Sequence, residues 1–317
     1  MKKFTLLSAG LAAMIVPLLP ATPAQAVNDK SFVSSTGSGT LCTRAAPCAT
    51  FQAAHDATAV EGEINCLDSG SFGAATITKS ITIDCVGVAA SSSGFIANGG
   101  AVGIWVTIRN LTFTGAFGGG VGVDFVNGIA LFVENCVIEH FRGGPEIGIR
   151  FAPSQVTEAL LVVTDTTIKH NGAGPNGGSI IIRPTGSALT DVVIDRVRAE
   201  GNTIGIRVDG SGSTGVIQAT LRDSVVAGSK FGPGVTAVTT AGHARTTIMV
   251  SRSHVVSNGT GVLANGALAT VLLSNNTIQA NAVALSSAAG GALFSYKNND
   301  LNNNTTAGSA PTVILQK

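Results

Sequence analysis

The residues best suited to acid–base chemistry are two glutamates, a lysine and two histidines that recur at equivalent places in a repeated pattern. Glu139, Lys169 and Glu200 each close a short segment of alternating apolar residues. His140 and His170 follow the first two of them. On neighbouring parallel strands about 4.8 Å apart, the two glutamates would be separated by ~10 Å, at the outer edge of the roughly 6.5–9.5 Å that inverting glycosidases use. A lysine or histidine beside a carboxylate can also abstract the proton in β-elimination from a uronic acid. The pattern predicts a candidate catalytic group, and its alternative is an exposed charge ladder in which Lys169 pairs with both glutamates.

Three arginines form a second candidate group. Arg150 and Arg207 occupy the same place in the segments GIRF and GIRV, and Arg183 lies close to that place in its own repeat. Arginines that point outward from a flat strand face can bind the carboxylates or sulfates of an acidic glycan. The alternative is an exposed ion pair, in which Arg150 contacts Asp124 of the preceding GVDF segment.

Other motifs that carry chemistry are weak or absent. Residues 119–126 match the calcium-binding nonapeptide G-G-x-G-x-D-x-U once, whereas such sites need tandem copies. The sequence contains no GxSxG nucleophile elbow, no P-loop and no nucleotide-binding unit. Its cysteines are not spaced as zinc ligands. We therefore predict neither a metal site nor a cofactor.

The elements that must position these residues are short strands in a repeat of solenoid length. Residues 191–208, DVVIDRVRAEGNTIGIRV, contain an apolar-alternating strand, a turn at Asn202 and a second short strand that begins at Gly205. Similar segments occupy residues 162–172, 248–264 and 271–286. Period-two alternation is the signal of a strand, and stacked units of this kind bury a core that no single unit could bury alone.

Two columns of residues follow when the repeats are aligned. The residue before each apolar pair is an anchor, and the anchors are Asn110, Asn135, Asp165, Arg196, Asp223, Arg252, Asn275 and Asn298. The second column is asparagine in most repeats, with Ser229 in one, and comprises Asn171, Asn202, Asn258, Asn281 and Asn304. Asparagine tolerates left-handed backbone, and stacked amides can donate and accept between neighbouring turns. We predict a structural role for this second column.

Residues near the N-terminus predict a short helix that differs from the repeated strands. Residues 50–60, TFQAAHDATAV, predict a short helix that Thr50 caps and that covers the open end of the solenoid. We expect His55 and Asp56 on this helix to face the solvent.

Five cysteines fit an oxidising compartment. Cys42 and Cys48 can close a small loop, and Cys66 and Cys85 lie about one repeat apart, where neighbouring turns would bring them together. Cys136 is left over and aligns with inward-facing positions, so we predict a buried free thiol.

Composition, charge and the N-terminal segment indicate an exported protein that does not bind nucleic acid through its net charge. The 317-residue chain is 44% hydrophobic and 12% charged, with 40 glycines and a formal net charge of +1. Residues 1–26 have the pattern of a secretory signal peptide, with Lys2 and Lys3, an apolar run and a small-residue cleavage site that ends at Ala26. No later run is long and apolar enough to predict a membrane span. A nearly neutral mature chain gives no electrostatic case for binding nucleic acid.

The sequence resembles a known superfamily. Residues 32–58, residues 70–85 (GSFGAATITKSITIDC) and the repeated N-x-x-G-[I/V] are similar to the secreted bacterial right-handed parallel β-helix proteins of the pectin-lyase-like superfamily. The resemblance implies a three-faced parallel coil. It implies no single activity, because the superfamily includes pectate lyases, polygalacturonases, tailspike-like proteins and members of undefined function. The polygalacturonase signature of Asn-Thr-Asp, Asp-Asp and Gly-His-Gly is absent here, as is an Asp-rich run like the calcium site of pectate lyases.

These observations predict an all-β, single-domain right-handed parallel β-helix with a short N-terminal capping helix. The expected organisation is a signal peptide at 1–26, a lead with the helix at 27–62 and the β-helix at 63–317. We expect a protein that is exported to the periplasm, the cell surface or the medium. Its expected function is non-catalytic, as a carbohydrate-binding or structural scaffold with an acidic polysaccharide as partner. The alternative is a polysaccharide lyase or glycoside hydrolase that acts on an acidic polysaccharide.

Overall fold

The computed structural model describes residues 27–100, 103–115, 120–144 and 146–315. The predicted signal peptide, residues 1–26, lies outside the described residues. In chain order the described elements begin with β1 (Asn28–Val33), α1 (Phe51–Ala57), β2 (Thr58–Cys66), β3 (Gly70–Ser71), β4 (Ala75–Ile77), β5 (Ile81–Asp84), β6 (Ala90–Ser92), β7 (Phe95–Asn98), β8 (Trp105–Arg109), β9 (Thr112–Thr114), β10 (Val121–Asn127) and β11 (Ala130–Glu134). They continue with β12 (Val137–Glu139), β13 (Ile147–Phe151), β14 (Glu158–Thr164), β15 (Thr167–Lys169), β16 (Gly178–Ile182), β17 (Leu189–Asp195), β18 (Arg198–Glu200), β19 (Ile206–Asp209), β20 (Ile217–Arg222), β21 (Val225–Ala227) and β22 (Pro233–Val238). The last are β23 (Thr246–Ser251), β24 (His254–Val256), β25 (Thr260–Asn265), β26 (Ala269–Ser274), β27 (Thr277–Gln279), β28 (Val283–Ala288), β29 (Ala292–Ser295), β30 (Asp300–Asn302), β31 (Thr306–Gly308) and β32 (Thr312–Val313).

These strands form three parallel sheets that wind around one core. Sheet A has the order β1-β2-β5-β8-β11-β14-β17-β20-β23-β26-β29-β32, sheet B the order β3-β6-β9-β12-β15-β18-β21-β24-β27-β30, and sheet C the order β4-β7-β10-β13-β16-β19-β22-β25-β28-β31. From β2 onward, successive strands along the chain visit sheets A, B and C in turn, and the next visit to a sheet pairs with the previous one. The fold prediction of an all-β, single-domain parallel β-helix is confirmed.

Alternation of side chains explains why these segments form strands. In β14 every second residue is buried, and Leu161 and Val163 point into the core. Aromatic rings stack inside the coil, as Phe125 and Phe151 do with centroids 5.0 Å apart. An aromatic pair of this kind contributes about 0.5–1.5 kcal/mol beyond the burial of its area.

The N-terminal helix covers one end of the coil. Thr50 caps α1, because its hydroxyl accepts a hydrogen bond from the backbone N–H of Ala53 at 3.2 Å. Phe51 packs edge-on against Phe72 and Phe95, at 5.4 and 5.2 Å. The helix is shorter than residues 50–60, because Thr58 already begins β2, which pairs with β1 and β5 in sheet A.

The expectation that His55 faces the solvent is wrong. Its side chain is only 4% exposed, and its Nε2 accepts a hydrogen bond from the backbone N–H of Thr78 at 3.2 Å. Nδ1 lies 3.1 Å from Oδ1 of the exposed Asp56. Burial lowers the pKa of His55, and the charge of Lys79 lowers it further against the opposing effect of Asp56.

Two disulfide bonds tie the first turns together. Cys42 is bonded to Cys48, and Cys66 is bonded to Cys85 in the neighbouring turn, with Cα–Cα distances of 4.7 and 4.8 Å. Disulfides are typical of proteins that fold in an oxidising compartment. Cys136 is free and buried, and burial raises the pKa of its thiol to about 12.

The asparagine column lies inside the corner between sheets B and C. Asn171, Asn202, Asn258 and Asn281 are buried and hydrogen-bond from turn to turn. The left-handed residue of this corner is not the asparagine but the residue before it, for instance His170 with a φ of 57°. The asparagine side chain thus points inward and bonds the backbone of the neighbouring turn, while its predecessor makes the bend.

Within the described residues, no helix is both long and apolar enough to cross a bilayer.

Candidate functional site

The acid–base group lies on the outer face of sheet B. Glu139, Lys169 and Glu200 end β12, β15 and β18 and are direct register partners. Nζ of Lys169 lies 3.1 Å from Oε2 of Glu139. Glu200 instead accepts a hydrogen bond from Arg198 on its own strand. The structure therefore brings the three residues onto one face and pairs each glutamate with a different cation.

The two histidines lie at the adjoining corner, on neighbouring turns. The ring centroids of His140 and His170 are 5.4 Å apart, and Nδ1 of His140 lies 3.8 Å from Oε1 of Glu139. Both histidines take left-handed backbone, with φ values of 64° and 57°. Their position follows from the bend, because each repeat from β12 onward places a left-handed residue there.

The two longer loops beyond the histidines are joined to each other by Glu146. Its carboxylate accepts hydrogen bonds from the backbone N–H groups of Gly144 at 2.9 Å, of Gly174 at 2.7 Å and of Ala173. The N–H of Gly144 and those of the second loop lower the pKa of Glu146. Five grooves on the described residues are lined by residues other than Glu139, Lys169 and Glu200, whose side chains are 21%, 37% and 34% exposed. The acid–base group therefore lies on sheet B, outside these five grooves.

The arginine group lies on the outer face of sheet C and is divided in two. Arg150 is the register partner of Asp124, and it donates from Nε at 2.7 Å and from Nη2 at 2.5 Å. This paired geometry raises the pKa of Arg150. Ile181 follows Arg150 in the same column, and Arg207 follows Ile181. The structure does not bring Arg150 and Arg207 into contact, because the apolar side chain of Ile181 lies between them.

Arg183 and Arg207 converge on one buried carboxylate. Nε of Arg183 lies 3.2 Å and Nη2 of Arg207 2.8 Å from Oδ2 of Asp209. Oδ1 of Asp209 accepts from the N–H and the hydroxyl of Ser211 at 3.0 and 2.5 Å. Burial alone would raise the pKa of Asp209, but the Ser211 hydrogen bonds and the two arginines hold it below its ordinary value.

Two grooves on sheet C were missed by sequence reasoning. The larger, groove 1, has a volume of about 490 Å³ and is lined by residues that include Gln52, Thr76, Ile96, Asp124 and Arg150. The smaller, groove 2, has a volume of about 210 Å³ and is lined by residues that include Pro175, Ile204, Arg207, Phe231, Thr236, Leu263 and Asn265. Outward positions in register could have indicated these walls, but the strand registers depend on loop lengths that the sequence pattern leaves open.

No group of three or more His, Cys, Asp or Glu side chains suitable for a metal ion occurs in the part of the chain that the structure describes. Asp124, the acid of the single nonapeptide match, is bonded to Arg150. A cation at Asp124 would have to displace that guanidinium.

Comparison with known proteins gives a likeness of fold. A scan against protein-family models finds no match, and a search of curated proteins finds no similar one. A solved pectate lyase, Pel9A, is 15% identical with a TM-score of 0.49, and the match covers 90% of this chain and 78% of that chain. A Geobacillus virus E2 protein, ORF18, is 14% identical with a TM-score of 0.45, and the match covers 78% of this chain and 54% of that chain. The chain thus spans about half the length of the viral chain, and the fold assignment here depends on its own strand pairing.

Proposed function

We propose that this protein is an exported, non-catalytic β-helix that binds an acidic polysaccharide along the outer face of sheet C. One observation carries the proposal: the two sheet C grooves and the three arginines share this face, whereas the acid–base group lies outside these grooves on sheet B. Concave sites with a few convergent polar groups are where ligands bind.

The layout of sheet C suits a linear ligand. Successive turns are about 4.8 Å apart, so Arg150 and Arg207, two turns apart, are separated by ~10 Å along the coil axis. A polysaccharide chain that runs along this axis would meet groove 1 first and groove 2 beyond Ile181. The nearly neutral chain provides no long-range field, so binding would depend on local contacts with arginine and would weaken with salt.

A second candidate function is a polysaccharide lyase or hydrolase on sheet B. One observation favours it: Lys169 and His140 both lie close to Glu139, at 3.1 and 3.8 Å. Against it, the ammonium of Lys169 is engaged with Glu139, so this amine is protonated and paired and is not free to act as a base.

Export is part of the proposal. The pattern of residues 1–26 and the two disulfide bonds both support passage into an oxidising compartment.

The test is affinity electrophoresis of the mature protein in gels that contain polygalacturonate, alginate or neutral dextran. We expect retardation by the acidic polymers, weakened by salt, and none by dextran. Leu263→Glu places a negative charge on sheet C and should reduce retardation, whereas the matched control Val256→Glu on sheet B should not. Equal retardation of both variants, or none of the wild type, would overturn the proposal.

The same polymers test the alternative. A rise in the absorbance of unsaturated uronate, with or without calcium, would identify a lyase. Its loss in Lys169→Ala, with the fold intact, would assign the base to sheet B.

A further inference from the structure

Groove 2 differs from groove 1 in its charge. Among the side chains that line groove 2, Arg207 is the charged one. Its partner Asp209 is shared with Arg183, so two guanidinium groups are balanced by one carboxylate. Lys230, exposed beside Phe231, adds to the positive charge. In groove 1, Arg150 and Asp124 neutralise each other.

Groove 2 also contains donors without acceptors. Nε of Arg207 and the hydroxyl of Thr236 are both buried and have no hydrogen-bond partner. These two residues are register partners on β19 and β22. A buried polar group without a partner destabilises the protein, so this pair favours any ligand that supplies an acceptor.

Arg207 can turn towards such a ligand without leaving Asp209 unpaired. Asp209 would keep the guanidinium of Arg183 at 3.2 Å and both hydrogen bonds from Ser211. The Nε and Nη2 of Arg207 would then present two parallel N–H groups, the geometry that binds a carboxylate with two hydrogen bonds.

The walls of groove 2 fit one sugar ring. Its volume of about 210 Å³ is below the roughly 300–1,000 Å³ of pockets for drug-sized ligands. Phe231 is 93% exposed at the rim, and Pro175, Ile204 and Leu263 provide apolar surface. An exposed phenylalanine is a platform on which the apolar face of a sugar ring can pack, and it has no evident role in the core.

From these observations we infer that groove 2 is a subsite for a single uronate residue of the polysaccharide, with its carboxylate on Arg207 and its ring against Phe231. The inference rests on the proposed function and specifies where recognition of the acid occurs. Thr236 supplies a further hydrogen bond to the carboxylate or to an adjacent hydroxyl.

The test is calorimetric titration of the mature protein with a trigalacturonate, its methyl ester and a sulfated trisaccharide without carboxylates. We expect the trigalacturonate to bind more tightly than either of the others. Arg207→Lys retains the charge but removes the paired donors, and should weaken binding at least tenfold. Phe231→Ala, at a side chain with almost no contacts, should weaken it severalfold without changing the melting temperature.

Three results would overturn the assignment. Unchanged binding of trigalacturonate to Arg207→Lys and Phe231→Ala would remove the subsite and leave acidic-polysaccharide binding on sheet C in place. Tighter binding of the sulfated sugar would assign the groove to another anion. Absence of binding to the wild type, together with absence of retardation by acidic polymers, would overturn the proposed function as well.

Discussion

The side chain of Asn202 holds the turn that precedes it. Its Oδ1 accepts both the backbone N–H of Asn171, at 2.9 Å, and the side-chain amide of Asn171, at 3.1 Å. Asn281 bonds Asn258 in the same way, at 2.9 and 3.0 Å. A left-handed residue interrupts the strand ladder at this bend, so the backbone N–H that follows it has no strand partner. The side-chain oxygen of the next asparagine in the column accepts that N–H.

Removal of one member should therefore destabilise the coil. Asn202→Ala would remove the acceptor of the backbone N–H of Asn171 and of one hydrogen of its side-chain amide, and the side-chain donor to the carbonyl of Ile168 at 2.8 Å. We expect a loss of about 3 kcal/mol in the free energy of unfolding, measured with urea. Gln279→Ala, at an exposed position of sheet B, is the control, and an equal effect of the two would contradict this role.

Ser229 is the one position of the asparagine column from Asn171 to Asn304 that is not asparagine, and its replacement by asparagine should stabilise the coil. Ser229 is buried, its hydroxyl has no partner, and its backbone N–H already donates to Asn258 at 2.9 Å. Gly148 and Gly234 adjoin the amides of Asn171 and Asn258, and Gly205, which lies against Gly234, is the corresponding glycine in the turn before Ser229. Ser229→Asn should extend the column and raise the free energy of unfolding by about 1 kcal/mol. A lower midpoint in urea would show that this turn lacks the room.

Much of the fold could be predicted because alternation repeats in nearly every turn. Leu161 and Val163 are typical: the period of two alone places them inward. The asparagine column could also be predicted, but the left-handed backbone lies one residue before each asparagine and not at the asparagine itself. The left-handed positions are occupied by types as different as His170 and Ala280, so residue type gives no signal there.

The candidate site was less predictable, because grooves depend on loops. The registry of Glu139, Lys169 and Glu200 followed from equal spacing after each anchor. The separation of Arg150 from Arg207 by Ile181, and the exposure of Phe231, depend on loop lengths that vary between turns. The burial of His55 could not be predicted from the helix alone. Its partner is the backbone N–H of Thr78, which follows strand β4 of sheet C and lies 23 residues further along the chain.

The two disulfides should contribute unequally to stability. Cys66 and Cys85 are 19 residues apart, and Cys42 and Cys48 are 6 apart. The longer loop restricts the unfolded chain more, so Cys66→Ala/Cys85→Ala should lower the free energy of unfolding by about 3 kcal/mol and Cys42→Ala/Cys48→Ala by about 2 kcal/mol. Guanidinium unfolding measures both. In the variant that lacks all four of these cysteines, the free energy of unfolding should no longer change when reductant is added. A change would contradict the assignment of the two disulfides.

Stability should fall as the pH drops below about 6.5, because His55 is buried as a neutral ring. Its Nε2 accepts the N–H of Thr78, so this nitrogen cannot be protonated without loss of that hydrogen bond. Burial lowers its pKa from 6.5 in the folded state, and the unfolded chain therefore takes up the proton first, which favours unfolding as acid is added. Carboxylates such as Asp209, with a pKa lowered from 3.8, act only at more acid pH.

The measurement is the urea midpoint at about pH 7.5 and about pH 5, for the wild type and for His55→Gln. Glutamine can accept the Thr78 N–H through its side-chain oxygen but does not titrate. We expect the midpoint of the wild type to drop on acidification more than that of the variant. Parallel decreases in the two proteins would assign the acid sensitivity to other groups, since the variant lacks only the titrating ring.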